Sequence, residues 1–172
     1  SVEPNLAASA IAIIAQNGDK DLHSEFFEKY TSSQIPQEKI RFLFSLSEFK
    51  SNDLIKETLK LSLSEKIKNQ DAPYLIATAI RNYRHTKTAW NFVEQNWEKI
   101  NKVFPNNTIP RMFGGIKSVS DKELAERISL FFDKNPVPQG QKTIDQNLEK
   151  MNINLKFVDH QSKILNNWLQ DF

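Results

Sequence analysis

The sequence predicts an all-α fold, and three observations carry that expectation. Apolar residues recur at helical spacing in segment after segment, as in Leu54, Ile55 and Leu59 or Leu124, Ile128, Phe131 and Phe132. Only 4 Gly and 7 Pro punctuate 172 residues, too few for the tight turns of a sandwich or barrel. Twelve Phe and three Trp supply the bulk that broad helical faces bury. The length fits one domain, residues 1–172, able to remove roughly 70% of its unfolded surface from water.

The elements follow in order. Asn5 is placed to cap a first helix carrying Leu6, Ala10, Ile13 and Ile14, ended by Asn17-Gly18. Asp19 restarts a helix through Leu22, Phe26, Phe27 and Tyr30. Pro36 opens the next, with Ile40, Leu43, Phe44 and Leu46 on its inner face. Ser51 or Asn52 caps a helix carrying Leu54, Ile55 and Leu59, and Asp71 with Pro73 opens one carrying Leu75, Ile76, Ala79 and Ile80. A helix bearing Trp90 runs to about Phe104, and Trp90 and Trp97, seven residues apart, share one face of it with Val93 and Ile100. Gly114-Gly115 reads as a turn, Ser120-Asp121-Lys122-Glu123 as a capping box, Pro136 and Pro138 as a loop, and Thr143 to the C-terminus as helix. The total is eight or nine helices without an exact repeat period. Antiparallel pairs stacked into a curved HEAT- or armadillo-like array would bury such faces, and an irregular bundle would show the same pattern.

Composition excludes several functions. The net charge of +2 is spread over 23 basic and 21 acidic residues, unlike the concentrated basic face nucleic acid requires. The mean hydropathy is -0.54 and no run approaches the ~20 apolar residues of a membrane helix, so a soluble chain is expected, with the cytoplasm favoured. Absence of Cys removes disulfides, thiolate metal sites and a cysteine nucleophile. The start Ser1-Val2-Glu3-Pro4 is that expected of a piece excised from a larger protein.

No catalytic residues emerge. A zincin needs His-Glu-x-x-His so that two imidazoles leave one helix face together, and His23, His85 and His160 all lack it. Isolated among polar neighbours, all three are expected at the surface. No nucleophile elbow, Walker loop or dinucleotide fingerprint is present. Asn106-Asn107-Thr108 matches a glycosylation sequon, a triplet common by chance. One local feature stands out: Lys66, Lys68, Arg81, Arg84 and Lys87 cluster around a helix–turn–helix. Such a cluster is either a solvated basic edge or a site for a carboxylate, which the Arg fork suits.

Several motifs come in a telling order: Lys68-Asn69-Gln70-Asp71, Arg81-Asn82, Ala89-Trp90-Asn91-Phe92 with Asn96-Trp97, Ser120-Asp121-Lys122-Glu123-Leu124, Phe131-Phe132, and Gln146-Asn147-Leu148-Glu149 through Asn152-Ile153 to Phe157, then Trp168-Leu169. In that order they resemble the C-terminal helical domain of M1 zinc aminopeptidases of the puromycin-sensitive and endoplasmic-reticulum type. Phe157 stands where that family has Trp, and His85 where glycine is common, which adds positive charge and puts the turn in question. The resemblance implies a superhelix without chemistry of its own that encloses the substrate chamber and docks the peptide. It implies the N-terminal catalytic domain of the same polypeptide as a partner, with the zinc held there and no cofactor in this chain. It also implies that Arg81, helped by Arg84 and Lys68, holds the peptide's terminal carboxylate. Trp90, Trp97 and Trp168 are expected as structural anchors. The rival expectation is a free-standing helical-repeat adaptor with a protein partner on its concave face; a helical-repeat RNA binder comes third.

Overall fold

The computed structural model describes residues 4–170. Among them are ten α-helices and no strand: α1 (Pro4–Gln16), α2 (Lys20–Ser32), α3 (Pro36–Ser45), α4 (Asn52–Ser62), α5 (Ala72–Arg81), α6 (Thr86–Gln95), α7 (Trp97–Val103), α8 (Ile109–Met112), α9 (Lys122–Lys134) and α10 (Gln141–Gln170). Two 3-10 segments, Phe113–Ser118 and Pro138–Gly140, precede α9 and α10. The expected count of eight or nine is therefore low. The helix expected from Trp90 to Phe104 breaks at Asn96, which closes α6 and opens α7, and Ile109–Met112 adds a single turn.

Local chemistry explains most boundaries. Asp19 and Asp121 cap α2 and α9 by accepting hydrogen bonds from the amides of Leu22 (3.0 Å) and Leu124 (2.8 Å). The cap of α9 is thus Asp121 and not Ser120. Proline stands in the first turn of α3, α5 and α8, where its missing N–H costs nothing. The role expected of Asn5 falls on a side chain outside the described ones, and α1 is already under way at Pro4.

Taken along the chain as successive pairs (α1/α2, α3/α4, α5/α6, α8/α9), the helices have second members starting at residues 20, 52, 86 and 122, and each pair packs on the next: α1 and α2 on α3, α3 and α4 on α5, α8 on α5. A 35-residue register runs through the side-chain bonds. Asn82 Nδ2 donates to the carbonyl of Ser47 (2.8 Å), and Asn154 Nδ2 donates likewise to Val119 (2.9 Å), each 35 residues back. Thr88 donates to Asn52, and Arg127 to Asn91, 36 residues back in both cases. Such nearest-neighbour ties are what hold a helical-repeat array. The period is hidden in the sequence because different residue types (Asn, Thr, Arg) fill equivalent places.

Helix α5 is the hub, packed against α3, α4, α6, α8 and the segment Phe113–Ser118. Ala72, Pro73, Leu75, Ile76, Ala77, Ala79 and Ile80 are all buried; Tyr74 and Arg81 are exposed and Thr78 half-buried. Positions 74, 78 and 81 form one stripe at helical spacing. The second half of the core is aromatic. Although they sit on different helices, Trp90 and Trp97 both meet Phe131, with ring centres 5.2 Å apart in each case. Phe113 and Phe132 pack edge to face within the same cluster at 4.7 Å. Trp90 is fully buried, and its indole N–H donates to Glu94 (2.9 Å), whose other oxygen pairs with Arg127.

Several expectations fail at the ends of the array. Leu6, Ile13 and Ile14 are exposed, and α1, packed on α3, buries Ala15 instead. Trp168 is 55% exposed on the outer half of α10 and anchors no core. The histidines also differ from expectation. His160 is exposed, but His23 and His85 are buried. Thr58 gives its single hydroxyl hydrogen to the carbonyl of Leu46 (3.2 Å), so His23 Nε2 must donate to Thr58 Oγ1 (2.8 Å). His85 Nε2 must likewise donate to the carbonyl of Phe49 (3.0 Å), which can only accept. Burial pushes both pKa values below the ordinary value, for His23 against the opposing pull of Glu57. His85 therefore adds little positive charge at neutral pH.

Two outcomes follow for stability. Trp90→Ala should cost about 3–5 kcal/mol, whereas Trp168→Ala should stay within about 0.5 kcal/mol; denaturant unfolding distinguishes them, and equal losses would contradict this packing. Because the folded-state histidine pKa values are lowered, their contribution is fully present above the unfolded value of about 6.5 and is lost as pH falls toward the folded values. The melting temperature should drop between pH 7 and pH 5, and drop less in a His23→Gln/His85→Gln variant.

Candidate functional site

The exposed stripe of α5 is one wall of a groove of about 550 Å³. Phe44 of α3 flanks Tyr74, Thr78 and Arg81 on one side, and Arg111 of α8 with Gly114, Lys117 and Ser118 closes the other. The groove thus crosses the first helices of three successive pairs. Arg81, Arg111 and Lys117 are all exposed, and no Asp or Glu lines it. Among the described residues, none of the three cations has an ion-pair partner. Three unneutralised cations around one hollow attract an anion, the more so where the walls displace water.

Backbone geometry brings the far wall close. A Cβ on Gly115 would lie 2.4 Å from the carbonyl of Ala77 and 2.8 Å from Ile80 Cβ, so only glycine lets this 3-10 segment press against α5. Gly115 is therefore a contact surface, and the Gly114-Gly115 pair lies inside a 3-10 segment and not in the expected turn. Ser118 Oγ, pointing to the carbonyl of Gly115 (3.0 Å), secures the end of the segment.

The five cations of the basic cluster part company in the structure. Arg84 lines a smaller adjoining hollow, shared with Arg81 and closed by Gln16 and Glu48, and its guanidinium sits 4.4 Å from the ring centre of Tyr83. Lys68 precedes the other end of α5, a helix about 15 Å long, and does not reach the groove. Lys66 and Lys87 are exposed and line neither hollow. Arg111 and Lys117, outside that cluster, line the groove with Arg81. Both were missed because they lie 30 and 36 residues from Arg81; the one signal for Lys117 is that it stands one repeat after Arg81.

His23 and His85 are each committed to their own hydrogen bond, and among the described residues no group of three His, Asp or Glu side chains converges. Nor is any described helix long and apolar enough to cross a membrane.

Residues 1–153 match the ERAP1-like C-terminal domain family. The chain belongs to that family. Among its relatives, Aminopeptidase M1-C of Oryza sativa subsp. japonica is 31% identical over 134 residues, 76% of this chain and 15% of its own length. Endoplasmic reticulum aminopeptidase 2 of Bos taurus is 29% identical over 172 residues, 96% of this chain and 18% of its own. Glutamyl aminopeptidase of Bos taurus is 28% identical over 162 residues, 90% and 17% respectively. The chain thus spans less than a fifth of the length of these relatives, and the segment it corresponds to is the C-terminal domain of M1 aminopeptidases.

A pair of glycine variants checks how the groove is built. Gly115→Ala should cost about 1–3 kcal/mol because the new methyl meets backbone, while Gly114→Ala, with no atom within 4 Å of its Cβ, should be nearly neutral. Equal effects in urea unfolding would place the 3-10 segment away from α5.

Proposed function

We propose that this chain is the non-catalytic C-terminal domain of a zinc-dependent aminopeptidase, walling the substrate chamber and docking the peptide by its terminal carboxylate in the Arg81 groove. The observation that carries the docking is the trio Arg81, Arg111 and Lys117 around one hollow with no carboxylate among its lining residues. Membership of a family whose named relatives are aminopeptidases supplies the setting. The hydrolytic chemistry and the zinc then belong to the catalytic domain of the same polypeptide, with which this domain is the partner.

The chain's own part is positioning. A guanidinium fork accepts a carboxylate through two parallel N–H···O bonds, and the Lys117 ammonium adds a point charge. Because Arg81 and Arg111 come from successive pairs, a bound carboxylate would also relieve their mutual repulsion and tie those pairs together. Holding the far end of a peptide at a fixed place gives the near end a defined reach, which is how a domain without catalytic residues contributes to rate.

The test is a titration of the chain with a peptide of about ten residues as free acid and as C-terminal amide. The free acid should bind and the amide bind at least tenfold more weakly, since a charge-assisted bond is worth roughly 1.5–3 kcal/mol. Arg81→Ala should remove the same increment from the free acid and little from the amide, because the two changes delete one interaction. Equal affinities for both peptides, or an equal loss on both in the variant, would contradict the reading.

A further inference from the structure

The turn between α5 and α6 carries Arg81 and Arg84, and its packing is unusual within the repeat. The second helices α2, α4, α6 and α9 begin after Asp19, Ser51, His85 and Asp121. Asp19 and Asp121 use their carboxylates to cap the helix they start. Ser51 and His85 make no such cap, and His85 is the one of the four that is buried. Its ring turns inward instead, 4% exposed, and Nε2–H reaches the carbonyl of Phe49 in the connector between α3 and α4. The same connector receives Asn82 Nδ2 on the carbonyl of Ser47, so two side chains of the 82–85 turn grip residues 47–49. His23 stands against the far side of Phe49, ring to ring at 5.1 Å.

The other ring nitrogen is the informative atom. With Nε2 carrying the hydrogen, Nδ1 of neutral His85 is a lone pair, buried without a hydrogen-bond partner. A second proton would place there a buried N–H without a hydrogen-bond partner in this packing, at the N-terminal, positive end of α6, and burial outweighs the backbone hydrogen bonds at Phe49 and Lys50 that favour the charged ring. The charged residues on the elements that meet at the ring are Arg84 on its own turn, Glu48 and Lys50 on the connector, and Lys87 in the first turn of α6, and of these Arg84 is the one that acts on it. Arg84 bears on the ring's titration and opposes the new charge.

We propose that His85 is a positioning residue: while its ring is neutral it latches the cationic turn to the Phe49 connector, and on taking up a second proton it lets the turn go. The latch stands on the geometry alone. Only its consequence for ligand affinity rests on the docking function, because Arg81 leads into this turn.

Amide exchange by NMR on the 172-residue chain, expressed as protection factors at pH 7.5 and pH 5, tests it. Protection at residues 82–85 should fall by about three- to tenfold on acidification, as loss of one buried hydrogen bond implies. His85→Gln retains an amide N–H able to reach Phe49 and cannot titrate, so its protection should be equal at both pH values. His85→Leu removes the donor and should be low at both; if it does not fold, His85→Gln alone decides. A fall that persists in His85→Gln, or wild-type protection that is flat with pH, overturns the proposal. A free-acid peptide titrated at both pH values separates the two ideas. No binding at either pH, with the protection change intact, refutes docking and leaves the latch standing. Binding that is equally tight at both pH values, with the protection change intact, would deny the latch any hold on the groove.

Discussion

Everything in this domain leans on α5, a ten-residue helix buried on every side but one. Its seven buried residues are small or aliphatic, which lets five other elements approach it at once. The closest approach is that of Gly115, where a methyl group would collide with the backbone of α5. One consequence is structural: the pairs before and after α5 communicate through it. The other is functional. The single stripe α5 keeps in solvent, Tyr74, Thr78 and Arg81, is the floor on which neighbouring pairs set Arg111 and Lys117. A helix packed this completely has few ways to place a charge, so an exposed arginine at its end occupies a well-defined position.

Around that hub the array is held by polar ties one repeat long. Asn82 and Asn154 do the same work 72 residues apart, and the Arg127–Glu94 pair with Asn91 does it beside the aromatic cluster. Each tie satisfies a carbonyl or carboxylate that lies between helices, where leaving it unpaired would cost about 1–3 kcal/mol. Because every tie joins neighbours only, the strain of a bad substitution should stay local, as in other quasi-one-dimensional folds.

Much of this was legible in the residues. Helical period, proline at helix starts and the helix start at Asp19 follow from local chemistry, and local chemistry is what a sequence displays; at α9 the capping-box pattern fell one residue early, on Ser120, where Asp121 is the cap. The family resemblance rests on the order of motifs such as Arg81-Asn82 and Ala89-Trp90, and residues 1–153 match that family. What was hidden depends on tertiary register. Asn96 splits the tryptophan helix, yet Phe131 gathers both rings; His23 and His85 sit among polar neighbours in sequence but among Thr58, Phe49 and the 46–49 carbonyls in space. Lys68 and Arg81 are close along the chain, but Lys68 precedes the start of α5 and Arg81 is its last residue, whereas Lys117 is distant along the chain and lines the same groove as Arg81. Apolar residues of α1 and of the outer half of α10, Ile13 and Trp168 among them, carry the helical pattern and are exposed.

The central claim is that α5 is the keystone of a nearest-neighbour array, and native-state hydrogen exchange along the whole chain measures it most directly. The account predicts that amides of α5 exchange only through the largest opening, with protection declining through α3 and the Phe113–Ser118 segment to its lowest values in α1 and the outer half of α10. Protection that is uniform from α1 to α10, or highest at either end and low in α5, would contradict it.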